Sequence, residues 1–535
     1  MSATARAPRE QSAWAPFHVR IFRMLWIAQF TSNVGTWMQT VGAQWLMGSL
    51  SHDPLFVALV QTAISLPVFL LALPSGALGD VFDRRRILLV SQSFMLAGAA
   101  TLGALTAADD VTPWVLLGLT FAIGAGQAMT APSWQAIQPE LVGRQLIPQA
   151  SALGATSMNL ARAVGPAIGG ALVATVGAEA TFFLNAVSFL AVLAVVFLWR
   201  REAPASALGA EQVRGALRAG TRYVRSSPRL RAVLARTIVF VAFGAAPWAL
   251  LPVVVRRDLH LGSGGYGLLL GCVGVGAVAG AQLLPALRER FGIERVVIGG
   301  TVVYALASAV LGWVHIVAPV AIALVGAGVA WIAVVSSFNA TAQTVLPNWV
   351  RARGMAIYLL TFQGGQALGA FVWGLVAQQW STRLALSVVS GGMLVGVSSA
   401  RRYGLRPSGS VDMRPAQSWA EPHLMVDPSP GHGPVLVEVE YRVPKENRDA
   451  FREEMIRVGR SRRRTGAQRW HLYQDGADPE RFVETYVVPT WQEHLRQHGE
   501  RVTRMDREIE ERARALATEN GAPRVSHLFS AYGGS

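Results

Sequence analysis

One arginine of this sequence lies inside a long apolar run, where a charge has a chemical consequence. Arg162 sits near the middle of the run at roughly residues 148–174. A charge at the centre of a membrane span costs at least about 2.5 kcal/mol, so the guanidinium must face a partner or a wet cavity. Asn159 precedes it by three residues and shares its helical face. We expect Arg162 to line a central cavity and attract an anionic or polar substrate. A structural bond to carbonyls or amides is the alternative.

Neutral polar side chains recur in the other apolar runs, and with large aromatic side chains they suit a bulky, partly apolar solute. Some of them will instead form hydrogen bonds between helices, each of which stabilises the protein by roughly 0.6 kcal/mol. Asp and Glu are missing from the middle of every run, and Glu140, at one end, is the best candidate for a proton carrier. The polar residues singled out are Asn33, Trp37, Gln135, Gln138, Asn159, Asn339, Gln343, Gln363 and Gln366.

The run that holds Arg162 continues as N-L-A-R-A-V-G-P-A-I-G-G, from Asn159 to Gly170. Gly165, Gly169 and Gly170 give a smooth helix face for close packing against a neighbouring helix. Pro166 frees the carbonyl of Arg162 and permits a bend. A packing seam without any further role is the alternative interpretation.

A second charged stretch, G-A-L-G-D-V-F-D-R-R-R, joins two apolar runs at Gly76–Arg86. Gly76 lets two helix ends approach, and Asp80 can accept bonds from amides or from an arginine. Three consecutive arginines hold the turn on the inner face of a membrane. An ordinary charged loop between two spans is the alternative.

Composition indicates a membrane protein. Of 535 residues, 52% are hydrophobic and 15% are charged, whereas soluble domains carry roughly 25% charged residues. The net charge of +15 lies almost wholly before Val435, where 30 of the 48 basic and 16 of the 33 acidic residues occur. It therefore indicates membrane orientation rather than nucleic-acid binding. The single cysteine, Cys272, excludes disulfides within the chain and cysteine-based metal sites.

Twelve apolar runs have membrane-spanning length. Arginines concentrate in alternate connections, and the positive-inside rule then puts both termini in the cytoplasm. The runs are roughly 21–49, 55–79, 87–107, 112–137, 148–174, 180–199, 233–255, 264–287, 295–315, 317–344, 353–377 and 382–400. The expected organisation is an N-terminal tail (1–16), a six-helix half (17–199), a basic linker (200–231), a second six-helix half (232–400), a flexible linker (401–434) and a folded tail (435–535).

The two halves repeat parts of their sequence. G-P-A-I-G-G at Gly165 corresponds to G-Q-A-L-G-A at Gly365, and Q-P-E-L-V at Gln138 corresponds to L-P-N-W-V at Leu346. The offsets of about 200 residues predict two halves related by a parallel repeat.

These motifs resemble those of the major facilitator superfamily. Its loop between the second and third helices is matched by Gly76, Leu78, Asp80, Arg84 and Arg86, with Asp83 where a glycine is usual. The exporter signature of the superfamily is matched by Gly165, Pro166, Gly169 and Gly170, and Arg162 lies within the same stretch, although Ala161 replaces its first glycine.

The residues from Gln127 to Gly170 resemble the branch with enterobactin exporters and transmembrane secretion effectors. The resemblance implies an all-α transporter of the bacterial inner membrane that exports a siderophore-like or drug-like molecule by alternating access, coupled to protons. It also implies that the polar residues of spans one, four, ten and eleven face the substrate path, and that the Asp80 loop is an inner gate.

The tail from Val435 predicts the order β-α-β-β-α-β of a ferredoxin-like domain, with strands at 435–443, 467–474, 481–488 and 524–532 and helices at 444–459 and 491–516. It resembles the dimeric α/β-barrel proteins related to antibiotic-biosynthesis monooxygenases, which implies a homodimer through this domain. His471 and His494, near Trp470 and Trp491, are candidates for lining a small pocket. Half-buried surface and core positions are the more common alternative for such residues.

No catalytic residue, cofactor or metal is expected. The sequence contains no Walker motif, so ATP is not expected to be the energy source. The expected partners are a small-molecule substrate, the lipid bilayer and a second copy of the chain. Two alternatives remain: an importer of a small nutrient on the same fold, and a carrier whose tail modifies the substrate.

Overall fold

The computed structural model describes residues 12, 14–199, 221–347, 349–398, 400, 404–405, 424–425, 428–429, 431–517 and 523–531. Side chains at 73, 76–81, 136, 138–140, 144, 352 and 500 also lie outside the description. The chain divides into two compact units. Unit 1 comprises Met1–Ala210, Ala235–Phe338 and Leu359–Gly404, and unit 2 comprises Glu211–Leu234, Asn339–Tyr358 and Leu405–Ser535.

Long helices account for most of the chain before the tail. Those of the first half are α1 (Arg20–Leu50), α2 (Pro54–Val81), α3 (Arg84–Ala107), α4 (Pro113–Val142), α5 (Ile147–Thr175) and α6 (Ala178–Leu198). Those of the second half are α7 (Pro228–Arg257), α8 (Ser263–Trp313), α9 (Val317–Val345), α10 (Arg351–Gln379) and α11 (Thr382–Val397).

Eight helices among the described residues are long and apolar enough to cross a membrane. They are α2, α3, α4 and α6 to α10. Large apolar side chains lie on their outer faces, as Val187 and Leu190 do on α6. Such faces are stable against lipid, where a helix satisfies its own backbone hydrogen bonds.

Helix α8 is broken at Gly292, whose φ of 77° and ψ of 158° are not helical. Glycine adopts this positive φ without the steric cost that a side chain would bring. The break divides the helix into α8a (263–291) and α8b (293–313). The sequence predicted two separate spans at 264–287 and 295–315, and Gly292 lies in the connection between them.

Charged side chains fix helix ends around the Gly76–Arg86 stretch. Asp83 is the N-cap of α3, because its side chain accepts a hydrogen bond from the backbone N–H of Arg86 at 3.0 Å. Arg85 donates to the carbonyls of Val196 and Phe197 at 3.0 and 2.6 Å, at the end of α6. A cation there complements the helix dipole and satisfies terminal carbonyls.

The glycines of α5 lie where helices approach most closely. A Cβ atom at Gly169 would lie 2.8 Å from Met38 Cα on α1, and one at Gly170 would lie 2.6 Å from Gly267 Cα on α8a. On the same two helices, a Cβ at Gly274 would lie 2.7 Å from the carbonyl oxygen of Arg162, which Pro166 leaves without its helical donor. Larger residues would separate these backbones.

The second half repeats part of this packing. A Cβ at Gly165 would lie 2.6 Å from Trp37 Cβ on α1. On α10, a Cβ at Gly365 would lie 3.0 Å from Ile238 on α7, and one at Gly369 would lie 2.2 Å from the carbonyl oxygen of Ala242. The repeated glycines therefore seat α5 on α1 and α10 on α7 in the same manner.

The tail, residues 431–531, contains a four-stranded antiparallel sheet with strand order β2-β3-β1-β4. Its elements are β1 (Val435–Arg442), α12 (Arg448–Thr465), β2 (Arg469–Gln474), β3 (Arg481–Val488), α13 (Trp491–Arg496), α14 (Arg504–Ala515) and β4 (Arg524–Phe529). Alternate residues of β1 and β3 face a core completed by Phe451, Met455 and Val458 of α12.

One feature of the tail was predicted wrongly. The sequence predicted a continuous helix at 491–516, whereas α13 ends at Arg496, a π-helical turn follows at Gln497–Arg501, and α14 begins at Arg504. Thr503 and Asp506 form a capping box that starts the new helix. Such a reciprocal cap stabilises the start of a helix. The many charged residues on both sides of Thr503 make this second helix start hard to recognise in the sequence.

Candidate functional site

A cavity of about 520 Å³ lies within the first half, between α1, α4 and α5. Its lining is amphipathic and carries no charged residue among those described. The lining residues are Phe22, Leu25, Trp26, Gln29, Asn33, Trp134, Gln135, Leu141, Ile147, Ala150, Ser151, Gly154, Ala155, Ser157 and Met158. Of the residues predicted to form the substrate path, Asn33 and Gln135 line this cavity.

The wall of the cavity carries a chain of hydrogen bonds between α1 and α5. Gln29 Nε2 donates to Asn33 Oδ1 at 3.0 Å, and Asn33 Nδ2 donates to Ser157 Oγ at 3.3 Å. Trp26 Nε1 donates to the carbonyl of Leu153 at 3.0 Å. Gln29 Oε1 is buried and accepts no hydrogen bond from the described residues. The sequence analysis missed Gln29, although it is four residues before Asn33.

Arg162 lies one helical turn beyond Met158 and does not line this cavity. Its guanidinium is 5.5 Å from the centroid of the Trp37 ring, and its Nε is buried without a hydrogen bond to any described residue. The Trp37 ring is 6.1 Å from that of Trp248 on α7. Arg162 therefore adjoins an aromatic pair that joins the two halves, and Trp248 is a residue that the sequence analysis missed.

The predicted polar residues of the second half make different contacts. Gln366 accepts a hydrogen bond from Ser65 at 3.3 Å, and Ser65 also accepts from Gln61 at 3.3 Å, so α2 and α10 are joined. In unit 2, Gln343 donates to Asn339 at 2.5 Å. Gln363 on α10 and Asn159 on α5 are half-buried. The side chains of Gln138 and Glu140 lie outside the described residues.

The two halves meet near the end of α1. Gln44 Nε2 donates to the carbonyl of Trp248 at 3.3 Å, and the hydroxyl of Tyr266 donates to Gln44 Oε1. The guanidinium of Arg256 is 4.6 Å from the centroid of the Trp45 ring. A cation over an indole face is attracted by the ring quadrupole, so this contact stabilises the junction.

The same end, called here the Asp53 end, carries two further contacts between the halves. Arg257 donates to the carbonyl of His52, and Gln378 donates to Asp53. These contacts lie at the connections that follow α1 and α7. The connection after α1 is therefore bonded to α7 and α10 at the Asp53 end.

The Gly76–Arg86 stretch, which the resemblance implies to be an inner gate, is described only in part. Backbone at Gly76, Leu78 and Asp80 belongs to α2, but those side chains lie outside the description. Arg84 is half-buried and Arg86 is exposed at the start of α3. In the corresponding hairpin of the second half, Arg288 donates to Ser337 at 3.0 Å, and Arg236 forms an ion pair with Glu294 at 2.6 Å.

The two histidines singled out in the tail are not neighbours: one lies at the surface and the other in the core. His471 is exposed on the sheet face opposite the helices, beside Tyr473. His494 is buried and stacks on Trp491, with 5.2 Å between ring centroids. Adjacent strand residues point to opposite faces, which separates His471 from Trp470.

His494 instead belongs to a cluster of three histidines. Its Nε2 is 3.1 Å from Nε2 of His527, and its ring centroid is 4.8 Å from that of His498. The pKa of His494 is lowered to about 3. Burial is the largest cause, and the neighbouring His527 and Arg462 lower the pKa further. Burial also lowers the pKa values of His498 and His527. Among the described residues, no group of three or more His, Cys, Asp or Glu is arranged to hold a metal.

This arrangement of long apolar helices, closely packed glycines and a neutral cavity agrees with a match over nearly the whole chain. Residues 11–533 match the family described as transmembrane secretion effector. The chain belongs to the transmembrane secretion effector family. It is therefore a multi-pass membrane transporter with a small-molecule substrate, and not an enzyme.

Relatives of this secretion effector include a named transporter and a named exporter. The staphyloferrin A transporter of Staphylococcus aureus is 24% identical over 50% of this chain and 67% of its own length. The enterobactin exporter EntS of Citrobacter koseri is 25% identical over 70% of this chain and 89% of its own length. The crystal structure of the nucleoside transporter NupG superposes with a TM-score of 0.58 and 13% identity, over 72% of this chain and 98% of that one. The last likeness concerns the fold alone.

Proposed function

We propose that this secretion effector is a secondary active transporter of the bacterial inner membrane that exports a siderophore-like or drug-like small molecule. The observation that carries the proposal is the amphipathic cavity of about 520 Å³ in the first half. Sites for small molecules have volumes of about 300–1,000 Å³ and combine apolar walls with a few polar groups. Relatives named for siderophores support this substrate class.

Arg162 is the proposed contact for an anionic group of the substrate. Its Nε makes no hydrogen bond to a described residue, and its neighbour Trp37 offers an aromatic face. A buried cation is stabilised when it meets an oxyanion, and arginine can bind carboxylate groups with two parallel hydrogen bonds. A solute with planar, apolar parts and one negative group would satisfy both residues.

Transport would proceed by alternating access of the two halves. The arginine-rich connections support an orientation with both termini in the cytoplasm, so the Asp53 end would face outward. The cavity would then load from the cytoplasm. The Asp80 loop would act as the inner gate, with Arg84 and Arg86 at its surface. The resemblance implies proton coupling.

The proposed membrane domain has twelve spans in two halves of six. The break at Gly292 supports counting α8a and α8b as separate spans. The repeated packing of Gly165 and Gly365 against α1 and α7 supports the division into halves.

The tail is proposed to be a ferredoxin-like domain that joins two copies of the chain. Its order β-α-β-β-α-β and its strand order support this fold. The sheet face opposite the helices carries apolar side chains that are half-buried or exposed, which supports a second copy as the occupant. These are Leu436, Tyr473, Val483, Val487 and Leu528.

The decisive experiment compares a deletion strain with a complemented strain in iron-poor medium, by untargeted mass spectrometry of supernatants and cell extracts. Export predicts a compound that is lost from the deletion supernatant and accumulates in the deleted cells. The identity of that compound gives the substrate.

Two results would contradict siderophore export. A compound that persists in the deletion supernatant would establish uptake. If the two strains do not differ, drug susceptibility of the same strains must differ, or the export proposal fails as a whole.

A further inference from the structure

Unit 2 contains more of the chain than the tail. The segment 221–234 and the segment 339–358 belong to it, so the tail groups with the beginning of α7 and with the junction of α9 and α10. These two segments share a small core of Tyr223, Leu230, Val345, Leu346 and Val350. The hydroxyl of Tyr223 donates to the carbonyl of Val345 at 3.0 Å.

Trp349 extends this core toward the tail. Its ring packs edge-to-face on Tyr223, with 5.9 Å between centroids and an interplanar angle of 81°. Trp349 also contacts the tail, because the guanidinium of Arg501 lies 5.0 Å from the centroid of the Trp349 ring. Arg501 comes from the π-helical turn after α13 and is only 4% exposed. A cation over a tryptophan face is attracted by the ring quadrupole, and more strongly so away from water.

Arg501 is held in place by the tail itself. Its two terminal nitrogens donate to the Glu493 carboxylate at 2.7 and 3.1 Å, and Nη1 also donates to the carbonyl of Thr465 at 3.2 Å. This bidentate geometry fixes the plane of the guanidinium. The tail therefore presents a preformed, oriented cation to Trp349.

Charged groups of the tail and of the segment before α7 also act on each other. Burial alone would raise the pKa of Glu493, but Arg501, Arg496 and Arg222 together hold it below its ordinary value. Arg222 lies next to Tyr223, and its Nε is buried. Burial and then Arg501 lower the pKa of Arg222, whereas Glu493 raises it, so charges of the tail act on the segment before α7 with both signs.

A buried ion pair of the tail lies near Tyr223 as well. Arg464 pairs with Asp506, and both are at least nine-tenths buried. Asp506 also accepts from Ser461 at 2.6 Å. Removing one partner of a buried pair leaves a costly charge. Both members act electrostatically on Tyr223, so this part of the tail also belongs with the docked surface.

We infer that the tail docks on a surface formed by Arg222, Tyr223 and Trp349, through Arg501 and Glu493, and thereby holds the adjoining ends of α7, α9 and α10 together. We call this surface the docking surface. Rocking of a half as a rigid body requires its helices to move together. The docked tail makes these three helix ends one body, so its attachment sets the transport rate.

The test uses the full chain in nanodiscs and measures hydrogen exchange in the segments 221–226, 345–351 and 497–506. Trp349→Ala should increase exchange in all three segments by roughly ten- to thirtyfold, which is the factor for the loss of about 1.4–2 kcal/mol of cation–π interaction. Trp349→Phe should restore most of the protection, because it keeps an aromatic face. Arg225→Glu is the matched control, since Arg225 is exposed on the same helical segment.

Two outcomes decide against the inference. Exchange in Trp349→Ala that equals exchange in Arg225→Glu overturns the docking. Increased exchange with an unchanged export rate in vesicles overturns the coupling to transport. The transport readout rests on the proposed function, whereas the exchange readout does not. If the unaltered protein exports nothing, the proposed function fails and hydrogen exchange still decides the docking.

Discussion

At the scale of single residues, Arg162 combines a sequence signal with an unexpected position. The apolar run around it predicted a charge that must find a partner, and the structure puts it beside Trp37 with a buried, unbonded Nε among the described residues. Its Nε donor, beside an aromatic face, is therefore available to an oxyanion of a substrate.

Arg162→Gln should lower export of an anionic solute by about 10- to 100-fold, because a hydrogen bond to a charged group is worth about 1.5–3 kcal/mol. The thermal midpoint of the purified protein should stay the same or rise, since an unpaired buried charge is removed. Val164→Ala, two residues away and partly exposed, is the matched control. A fall in the midpoint with unchanged export would indicate a structural role instead.

The histidine cluster predicts how the tail responds to acid. The pKa of His494 in the folded tail is about 3, whereas an unfolded histidine has a pKa of about 6.5. The unfolded state therefore binds more protons below pH 6.5, and folding stability is complete above that pH. The free energy of unfolding should fall by up to about 1.4 kcal/mol per pH unit, for each histidine with a lowered pKa, as the pH decreases below 6.5.

Hydrogen exchange of residues 491–531 between pH 7 and pH 5, corrected for intrinsic rates, measures this loss. His494→Phe keeps a ring beside Trp491 and removes one titrating group, so it should flatten the pH dependence. Equal pH dependence in both proteins would contradict a role for His494.

At the scale of elements, the approach of α5 to α8a predicts unequal effects of two glycine substitutions. A Cβ at Gly267 would lie 2.6 Å from the carbonyl oxygen of Pro166, whereas at Gly264 the nearest atom is 3.9 Å away. Gly267→Ala should cost roughly 1–3 kcal/mol through overpacking. Gly264→Ala should be neutral or slightly stabilising, because alanine favours helix.

Thermal unfolding of the two variants in the same detergent compares them directly. The expected order of midpoints is Gly264→Ala at or above the unaltered protein, with Gly267→Ala several degrees below it. Two equal midpoints would mean that the helices separate without cost at this position.

At the scale of the whole molecule, the uncovered sheet face of the tail predicts the oligomeric state. Leu528 lies on this face and Ile456 lies on the outer side of α12, and both are about half exposed. Leu528→Arg should convert a dimer to a monomer, because a charge would be buried between two apolar faces. Ile456→Arg should leave the dimer intact. Light scattering of the full chain in detergent measures the mass, and a monomeric unaltered protein would refute the proposal.

The sequence by itself determined where the long helices of the described residues lie. Membrane-length apolar runs with alternating arginine-rich connections leave little choice, because a backbone in lipid must satisfy its own hydrogen bonds. It also gave the element order of the tail, since strands and helices differ in the period of their apolar residues. The contacts of Gly165 and Gly365 follow from a repeat that is visible in the sequence.

Only the tertiary structure decided which distant residues meet. Trp37 and Trp248, His494 and His527, and Arg501 and Trp349 lie far apart along the chain. Hydropathy and spacing describe each segment separately, whereas these contacts depend on how side chains interlock across helices and strands. The separation of His471 from His494 and the break between α13 and α14 have the same origin. They are fixed by strand register and by the cap at Thr503, which the pattern of apolar residues does not encode.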